Sequence, residues 1–333
     1  RNVLHVPHVL YHWRLLATST AAAGEQAKPY AYDAGTRAIQ AHCDRIGFPA
    51  VAERDLEHSG VYHLQPVLRE HPRVSIVIPT RGDVRDVRGE ETTLVTHCVR
   101  SIVERSTYPS LEIVVVSDTT TPTPVLDDVR RIGGDRLTVV DYDLPFSFAD
   151  KINTGVLAST GEQVLMLNDD MEVVTPDWLE RMVMYSGFGG IGAVGAKLLF
   201  GDGRLQHVGV TVRGSSPGHL FRGFRGDYGG YVNVVRVANN YSAVTGACLM
   251  TPRALFDEVG GLSVQFPLNF NDVDYCLKVQ ALGQRVVYDP DTVLYHFESS
   301  SRDEGFSDWE LRLFKDRWRV ATEVDPYDNP NFH

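Results

Sequence analysis

A series of short, almost fully apolar runs constrains the fold of this sequence more than any other feature. The runs are VSIVIP (Val74 to Pro79), LEIVVVSD (Leu111 to Asp118), RLTVVDY (Arg136 to Tyr142) and EQVLMLNDD (Glu162 to Asp170), and helix-like stretches separate them. A strand that is apolar on both faces belongs to a sheet covered on both sides, and strand–helix–strand repetition predicts parallel strands. We therefore expect an α/β fold with a doubly wound, mainly parallel sheet.

Polar residues follow these strands where each of them ends. They are Thr80–Arg81, Ser117–Asp118, Asp141–Asp143 and Asn168–Asp170. In open α/β sheets, ligands bind beyond the carboxyl ends of the strands. The ligand site is therefore expected at this edge of the sheet.

The pattern changes after Gly201. The stretch GRLQHVGVTV (Gly203 to Val212) alternates like an antiparallel strand, and the Gly-rich stretch Gly214 to Gly230 predicts a long loop. Farther on, RVVYDP and TVLYHFE predict two short strands, after a helix at Asn271 to Gly283. A smaller, antiparallel part is thus expected to follow the parallel half.

The composition limits the class of partner and the compartment. The net charge of the 333 residues is −11, which argues against nucleic acid as the main partner. Any phosphorylated ligand would need local arginine or lysine, a helix N-terminus or a divalent cation to offset this charge. No apolar run approaches the roughly 18 residues of a membrane-spanning helix. The four cysteines are far apart without a CxxC pair, which argues against zinc and favours buried thiols in a reducing, cytoplasmic compartment.

Two adjacent carboxylates, Asp169 and Asp170, end the run VLML. Such a pair repels itself unless a cation is present, so a cation site is one interpretation. A turn or an N-cap before the next helix is the other, and the two stay open on these residues alone. Glu172 just beyond favours the cation.

Two further motifs carry possible chemistry. In NFNDVDYCLK, Asp272 and Asp274 flank the start of a helix, where they are either N-terminal capping and surface residues or, for Asp272, a general base. In LYHFESSSR, His296 follows a short strand and Arg302 lies six residues later. A lone histidine is more often structural than a ligand.

Seven stretches, taken together, resemble family 2 glycosyltransferases of the GT-A fold, especially the bacterial enzymes of O-antigen, capsule and rhamnan assembly. They run in the family's order: VSIVIPT, LEIVVVSD, FADKINTGVLASTGEQVLMLNDDMEV, IGAVGAKLLFGDGRLQHVGV, AVTGACLMTPRALFDEVGGL, FNDVDYCLKVQALGQRVVYDPDTVLYHFESSSR and DPYDNPNF. The resemblance implies one transferase domain over residues 71–333, with a nucleotide-sugar-binding half (71–200), an acceptor and catalytic half (201–305) and a C-terminal helix and tail (306–333).

The resemblance also implies roles for individual residues. The catalytic base would be Asp272, and the metal ligands would be Asp170 and His296. The residues expected along the nucleotide sugar are Thr80, Arg81, Asp118, Lys151, Asn153, Asp169 and Arg302.

The reaction implied is an inverting, metal-dependent transfer of a sugar from a nucleoside diphosphate sugar to a hydroxyl of a glycan or glycoconjugate. Mn²⁺ or Mg²⁺ would neutralise the departing diphosphate, and a carboxylate would take the proton of the acceptor hydroxyl. KDRW (Lys315 to Trp318) lacks the glutamine of the processive synthases' motif, which favours transfer of one or a few sugars. The enzyme is expected in the cytoplasm, with peripheral association at the inner membrane face as an option.

The sequence also departs from the family pattern. VSDTTT replaces the usual Val-Asp-Asp/Asn-Gly-Ser, and Asn271–Asp272 replaces the usual Glu-Asp pair. Two alternatives therefore stay open. One is a sugar-phosphate nucleotidyltransferase, to which PTRGDVRDVRG is a poor match, and the other is a non-catalytic module that binds a glycan or a nucleotide.

The first residues partly repeat the last strand. VLYHWR (Val9 to Arg14) matches VLYHFE (Val293 to Glu298) at four positions. We expect residues 1–70 to be an appendage that comprises the tail of a preceding transferase domain and a linker. Other transferase domains would then lie in the same polypeptide.

Overall fold

The computed structural model describes residues 29–214, 216–297, 308–319 and 321–329, and a few single positions between 6 and 16. The strands are β1 (Ala50–Arg54), β2 (Tyr62–Pro66), β3 (Val74–Thr80), β4 (Val84–Val87), β5 (Glu90–Thr93), β6 (Leu111–Asp118), β7 (Leu137–Tyr142), β8 (Gln163–Leu167), β9 (Met171–Val173), β10 (Ile191–Leu199), β11 (Leu205–His207), β12 (Val210–Arg213), β13 (Ser216–His219), β14 (Asn239–Asn240), β15 (Cys248–Pro252) and β16 (Arg285–His296). The helices are α1 (Pro29–Ile46), α2 (Leu94–Arg105), α3 (Thr123–Gly133), α4 (Phe148–Leu157), α5 (Trp178–Ser186), α6 (Arg253–Glu258), α7 (Asn271–Ala281) and α8 (Asp308–Trp318).

One large mixed sheet organises the molecule. Its order is β14-β16-β10-β15-β8-β3-β6-β7, with β11 paired to β10 and β9 paired to β16. Strands β8, β3, β6 and β7 are parallel neighbours, whereas β15 runs antiparallel between β8 and β10. The expectation of an α/β fold with a mainly parallel sheet and a smaller antiparallel part is confirmed.

Strand β3 shows why the apolar runs predict this architecture. All seven of its residues are buried. Successive side chains of a strand point to opposite faces, so Ile76 packs in the core layer that contains Val99 of α2, and Val77 packs in the layer that contains Ile152 of α4. A Cβ at Gly155 of α4 would overlap Val77, so glycine permits this close helix–sheet approach.

Two sequence expectations need correction. The stretch from Gly214 to Gly230 contributes β13 to a hairpin with β12, so it is not only a loop. The two short strands expected near the end are one strand, β16, whose pairing with β10 shifts between Asp289 and Val293. That shift absorbs Pro290, which cannot donate a ladder hydrogen bond.

The N-terminal appendage, as far as the structure describes it, is α1 and the hairpin β1–β2, and both pack against the sheet domain. The Arg181 guanidinium of α5 donates to the Gln65 side chain at 2.6 Å. His63 Nδ1 lies 2.9 Å from Asp291 Oδ1, and His63 Nε2 lies 3.2 Å from Asp55 Oδ2. The His63 ring therefore bridges the Asp55 carboxylate of the appendage and the Asp291 carboxylate of the sheet domain. In the first VLYH segment, Tyr11 and His12 are exposed and without regular secondary structure.

This bridge predicts a pH-dependent stability. The hydrogen bond to Asp291, supported by the charges of Asp291 and Asp55, raises the pKa of His63 from 6.5 to about 9 although burial opposes it. The stabilisation is therefore complete below pH 6.5 and is lost as the pH rises through about 9. We expect His63→Gln to lower the free energy of unfolding by about 1–2 kcal/mol near neutral pH and by much less at alkaline pH, as measured by urea denaturation.

The matched control is His58→Gln. His58 contacts Asp55 within the same hairpin at 3.0 Å, so its loss should leave the alkaline fall in stability intact. If the His63 variant retains that fall, His63 is not its source.

The four cysteines are buried, as expected, and none of them forms a disulfide. In the part of the chain that the structure describes, no helix combines the length and the apolar character needed to cross a bilayer.

Candidate active site

A cavity of about 640 Å³ lies where the carboxyl ends of β3 and β8 approach the amino end of α7. Its walls come from three parts of the chain, within residues 79–94, 146–170 and 206–296. Of the residues predicted from the sequence, those that line it are Thr80, Arg81, Asp169, Asp170, Asp272 and His296. The carboxyl-end rule for open sheets thus placed the cavity correctly.

The two adjacent carboxylates lie in the turn that follows β8. Thr80 at the end of β3 donates its hydroxyl to Asp169 Oδ2 at 2.6 Å, which links the two parallel strands at their carboxyl ends. Burial and the neighbouring charge of Asp170 raise the pKa of Asp169, and the Thr80 hydrogen bond only partly opposes this. Positive charge in the cavity would relieve this repulsion.

Asp170 faces His296 across the β9–β16 ladder. Met171 pairs with His296, so the preceding residue, Asp170, lies beside the end of β16. There the backbone carbonyl of Asp170 accepts a hydrogen bond from the Phe297 N–H at 2.9 Å. Asp170 Oδ1 lies 3.2 Å from His296 Nε2. One carboxylate oxygen and one imidazole nitrogen are suitable ligands for Mn²⁺ or Mg²⁺, and substrate phosphates and water commonly supply the rest. Among the described residues, no group of three or more His, Cys, Asp or Glu side chains forms a complete metal site.

Glu172 does not support this site, contrary to the expectation from its position. It is 3% exposed and faces a cluster of cationic groups, with Arg88 and Arg105 nitrogens each at 2.8 Å and His97 Nε2 at 3.1 Å. Burial alone would raise its pKa, but the hydrogen bonds from His97 and Arg105 and the arginine charges lower it. Its carboxylate fastens the hairpin β4–β5 and α2 to β9, and it does not line the cavity.

Asp272 lies in the first turn of α7 with its carboxylate at the cavity. Its Oδ2 accepts from the Gly246 N–H and its Oδ1 from the Val273 N–H, both at 2.8 Å. Phe270, just before the helix, has a φ of 62°, so the chain turns sharply into α7. A Cβ at Gly246 would come within 3.2 Å of the Asp272 Cβ, so glycine allows the loop to approach this carboxylate. Negative charge is favourable at a helix N-terminus.

Asp274 has a different role, although it is only two residues away. It is fully buried and accepts from Arg317 at 2.9 Å and from the Trp318 ring N–H at 2.8 Å. Arg317 and Trp318 belong to α8, and so does Glu310, whose carboxylate accepts from the backbone N–H groups of Leu268 and Asn269, both at 3.1 Å. Helix α8 therefore fixes both α7 and the loop that leads into it.

The predicted nucleotide residues divide into two groups. Arg81 lines the cavity with its guanidinium over the Phe146 ring, 5.7 Å from the ring centroid. Lys151 is fully buried outside the lining, where it forms an ion pair with Asp118 and donates to the Thr80 carbonyl at 2.8 Å. Burial lowers the pKa of Lys151, whereas Asp118 opposes that shift. This pair supports the ends of β3 and β6 from behind the cavity.

Two of the predicted nucleotide residues, Asn153 and Arg302, are not among the described residues that line the cavity. The Asn153 side-chain amide exchanges two hydrogen bonds of 2.9 Å with the Leu262 backbone and does not line the cavity. Its expected contact with a nucleotide is therefore not brought about in this structure. Arg302 lies outside the described residues.

The cavity also contains residues that the sequence patterns did not single out. They are Phe146, Phe148, Gln206, His219 and Thr245. Thr245 and Gly246 lie in the stretch AVTGACLM, where a glycine before an apolar strand was the available signal. Phe146 lies in a loop, Phe148 begins α4 and His219 ends β13, so their meeting at the cavity depends on long-range packing.

One family model matches most of the chain. Residues 71–318 match the family described as glycosyltransferase like family 2. The match leaves out the N-terminal appendage.

Two curated proteins are similar over 99% of the chain. One is uncharacterized protein y4gI of Sinorhizobium fredii (strain NBRC 101917 / NGR234), 38% identical over 344 residues that make up 37% of its length. The other is O-antigen biosynthesis protein RfbC of Myxococcus xanthus, 31% identical over 335 residues that make up 25% of its length. The chain thus spans between a quarter and two fifths of these relatives.

Two solved glycosyltransferase structures share the fold. The mannosyltransferase PcManGT of Pyrobaculum calidifontis, in complex with GDP-Man and Mn²⁺, is 19% identical with a TM-score of 0.51, over 90% of this chain and 74% of that one. GalNAc-T7 with UDP, GalNAc and Mn²⁺ is 15% identical with a TM-score of 0.59, over 85% of this chain and 56% of that one. The architecture of the sheet domain is therefore that of GT-A enzymes.

Proposed function

The chain belongs to glycosyltransferase-like family 2, and on this premise we propose that it moves a sugar from a nucleoside diphosphate sugar to a hydroxyl of a glycan or glycoconjugate, with inversion. The observation that carries the proposal is that Asp272 lines the same cavity as Asp169, Asp170 and His296. At about 640 Å³ the cavity falls within the usual range of roughly 300–1,000 Å³ for small-molecule sites.

The nucleotide end of the donor would lie beside the end of β3. Arg81 and Phe146 both line the cavity there, and a planar guanidinium or an aromatic ring can stack on a nucleobase. The Lys151–Asp118 pair holds the Thr80 backbone in place behind them. Its contribution is positioning, since neither side chain lines the cavity.

The diphosphate would lie near Asp170 and His296, which would hold Mn²⁺ or Mg²⁺. When bound, such a cation supplies the positive charge that the departing diphosphate requires. This chain has a net charge of −11, so the cation would also offset repulsion of an anionic donor. Asp169, which accepts a hydrogen bond from Thr80, would also accept one from a hydroxyl of the ribose or of the donor sugar.

Asp272 would act on the acceptor. Its carboxylate takes the proton of the acceptor hydroxyl while that oxygen forms a bond to the anomeric carbon and the bond to the diphosphate breaks. A single displacement from the face opposite the leaving group inverts the anomeric configuration. The N–H groups of Gly246 and Val273 fix the carboxylate while each oxygen keeps a further acceptor position.

The similarity to the Myxococcus O-antigen protein supports a role in polysaccharide assembly. We infer that this chain acts as one transferase unit of a larger polypeptide at the cytoplasmic side of the membrane. Expression of the corresponding longer protein, with one unit inactivated at a time, would show which sugar addition this unit performs.

A donor screen tests the proposal directly. The chain is incubated with UDP-, GDP-, dTDP- and CDP-sugars and a panel of aryl glycosides as acceptors, and release of nucleoside diphosphate is measured. We expect release from one donor class that requires Mn²⁺ or Mg²⁺, stops with EDTA and returns with excess cation.

Two results would contradict the proposal. Pyrophosphate release from a nucleoside triphosphate and a sugar 1-phosphate would indicate a nucleotidyltransferase. The absence of calorimetric binding of UDP, GDP and dTDP with Mn²⁺ would indicate a non-catalytic module.

A further inference from the structure

One wall of the cavity has no part in the roles assigned above. It is formed by Gln206, Val210 and the segment Pro217–His219, and is called here the β11–β13 wall. Gln206 is only 4% exposed and yet lines the cavity. Its Oε1 has no hydrogen-bond partner among the described residues. A buried amide oxygen without a partner is unfavourable, so a ligand that supplies a hydrogen bond to this side chain gains binding energy.

A histidine pair stiffens the same wall. His207, the neighbour of Gln206, is fully buried, and its Nε2 accepts from the Thr245 N–H at 3.3 Å. Its Nδ1 therefore carries the proton and donates to His219 Nδ1 at 3.0 Å. Burial lowers the pKa of His207 well below its usual value, so the ring stays neutral. The pair fixes the hairpin β12–β13 against β11.

The β11–β13 wall lies next to the proposed base. Thr245 N–H binds His207, and the following peptide N–H, that of Gly246, binds Asp272. Two successive residues of one loop thus hold the histidine pair and the carboxylate. A sugar with one hydroxyl at Asp272 therefore has its other hydroxyls within reach of this wall.

The wall is displaced from the nucleotide end. Leu198 of β10 pairs with β16 on one side and with β11 on the other, so β11 lies on the side of β10 that faces β15, β8 and β3. Neighbouring strands are about 4.8 Å apart, so β11 lies two strand spacings, about 10 Å, from the strand that carries Thr80. A group bound at this wall therefore lies apart from the end of β3, where the nucleotide is proposed to bind.

The chemistry of the wall fits a sugar. A side-chain amide offers both donors and an acceptor, so a sugar hydroxyl can donate to the amide oxygen and a second sugar oxygen can accept from the amide N–H. Val210 and Pro217 add apolar surface beside the amide, which suits the C–H face of a sugar ring. The five residues that define the wall, all of them described, include no carboxylate, lysine or arginine that would select a charged group.

We propose that Gln206 binds a hydroxyl of the acceptor sugar and thereby selects which acceptor reaches Asp272. The inference rests on the proposed transferase activity and adds a specificity-determining residue to it.

The test compares Gln206→Met with Gln163→Met. Gln163 is also a glutamine, is 7% exposed and also has an Oε1 without a partner among the described residues. It lies at the amino end of β8, whereas the cavity lies at the carboxyl end of that strand. The acceptor is the aryl glycoside that gives most product with the wild-type chain. Loss of one hydrogen bond to a neutral hydroxyl should raise the acceptor KM about tenfold in Gln206→Met. Donor KM, nucleoside diphosphate affinity and donor hydrolysis without acceptor should not change, and Gln163→Met should match the wild type.

The outcomes separate the inference from the transferase proposal. A change in donor KM or donor hydrolysis in Gln206→Met would assign the residue to the donor sugar and overturn the inference, as would an unchanged acceptor KM. Thermal unfolding of Gln206→Met identifies misfolding, and Gln206→Asn, which keeps an amide in a shorter side chain, should then show the same selective effect on acceptor KM. If the wild-type chain turns over no nucleotide sugar, the proposed function itself fails.

Discussion

Replacing Asp272 with asparagine should lower the rate of sugar transfer by about 10²- to 10⁴-fold, the usual contribution of a positioned general base. An amide cannot take the proton of the acceptor hydroxyl, while its size and shape match those of the carboxylate. The loss should appear in kcat, because the proton moves only as the new bond forms. Nucleoside diphosphate binding should remain, since the residues proposed to bind the nucleotide and the cation lie at the ends of β3, β8 and β16, away from α7.

The structure indicates how this variant stays folded. In Asp272→Asn, the side-chain carbonyl oxygen can still accept from the Gly246 or Val273 N–H, so the loop and α7 keep part of their connection. Thermal unfolding should therefore shift little. Asp257→Asn is the matched control, because it removes the same charge from an exposed position in α6. Wild-type rates in Asp272→Asn, measured with saturating donor and acceptor, would show that another group is the base.

Part of this site could be predicted from local sequence alone. The strand β6 spans Leu111–Asp118, as its continuous apolar run predicted, because burial on both faces leaves a local signature. The carboxyl-end rule then predicted that Asp169 and Asp170 lie at the edge of the sheet where the structure has its cavity. These predictions depend only on neighbouring residues and on the regular geometry of a parallel sheet.

The roles of neighbouring carboxylates could not be predicted in this way. Successive helical residues are about 100° apart, so Asp272 and Asp274 point in nearly opposite directions, and sequence alone does not say which one faces the cavity. Helix α8 determines the orientation, because its Arg317 and Trp318 donate hydrogen bonds to the Asp274 carboxylate. In the same way, the Glu172 carboxylate binds Arg88 and Arg105, which are more than 60 positions away in the chain.

The wall around Gln206 left no local signal at all. Its two polar residues come from different strands, and their meeting depends on the pairing of β12 with β13 and on the His207–His219 contact. A buried glutamine with an unsatisfied oxygen is visible only once the neighbours are placed. Long-range packing therefore determines the part of the site where we expect acceptor choice to be made.

The second large effect is expected at Asp170. Asp170→Asn should lower transfer at least about 100-fold at low Mn²⁺, because it removes the carboxylate that lies 3.2 Å from His296. High Mn²⁺ should restore part of the rate, since the histidine and the diphosphate still bind the cation. The measurement is the Mn²⁺ dependence of nucleoside diphosphate release, together with the rise in unfolding temperature on adding Mn²⁺ and nucleotide.

Glu172→Gln gives the opposite pattern and so provides the sharpest comparison. It neutralises a carboxylate two residues from Asp170, but one that binds Arg88, His97 and Arg105 outside the cavity. Glu172 is buried, but the Arg88 and Arg105 side chains are nearly half exposed, so water partly compensates the charge left behind and the destabilisation should be about 1–2 kcal/mol. We therefore expect a lower unfolding temperature with an unchanged Mn²⁺ midpoint. A shifted Mn²⁺ midpoint in Glu172→Gln, or an unshifted one in Asp170→Asn, would contradict the assignment of the cation to Asp170 and His296, because the two carboxylates differ in what they face and not in charge.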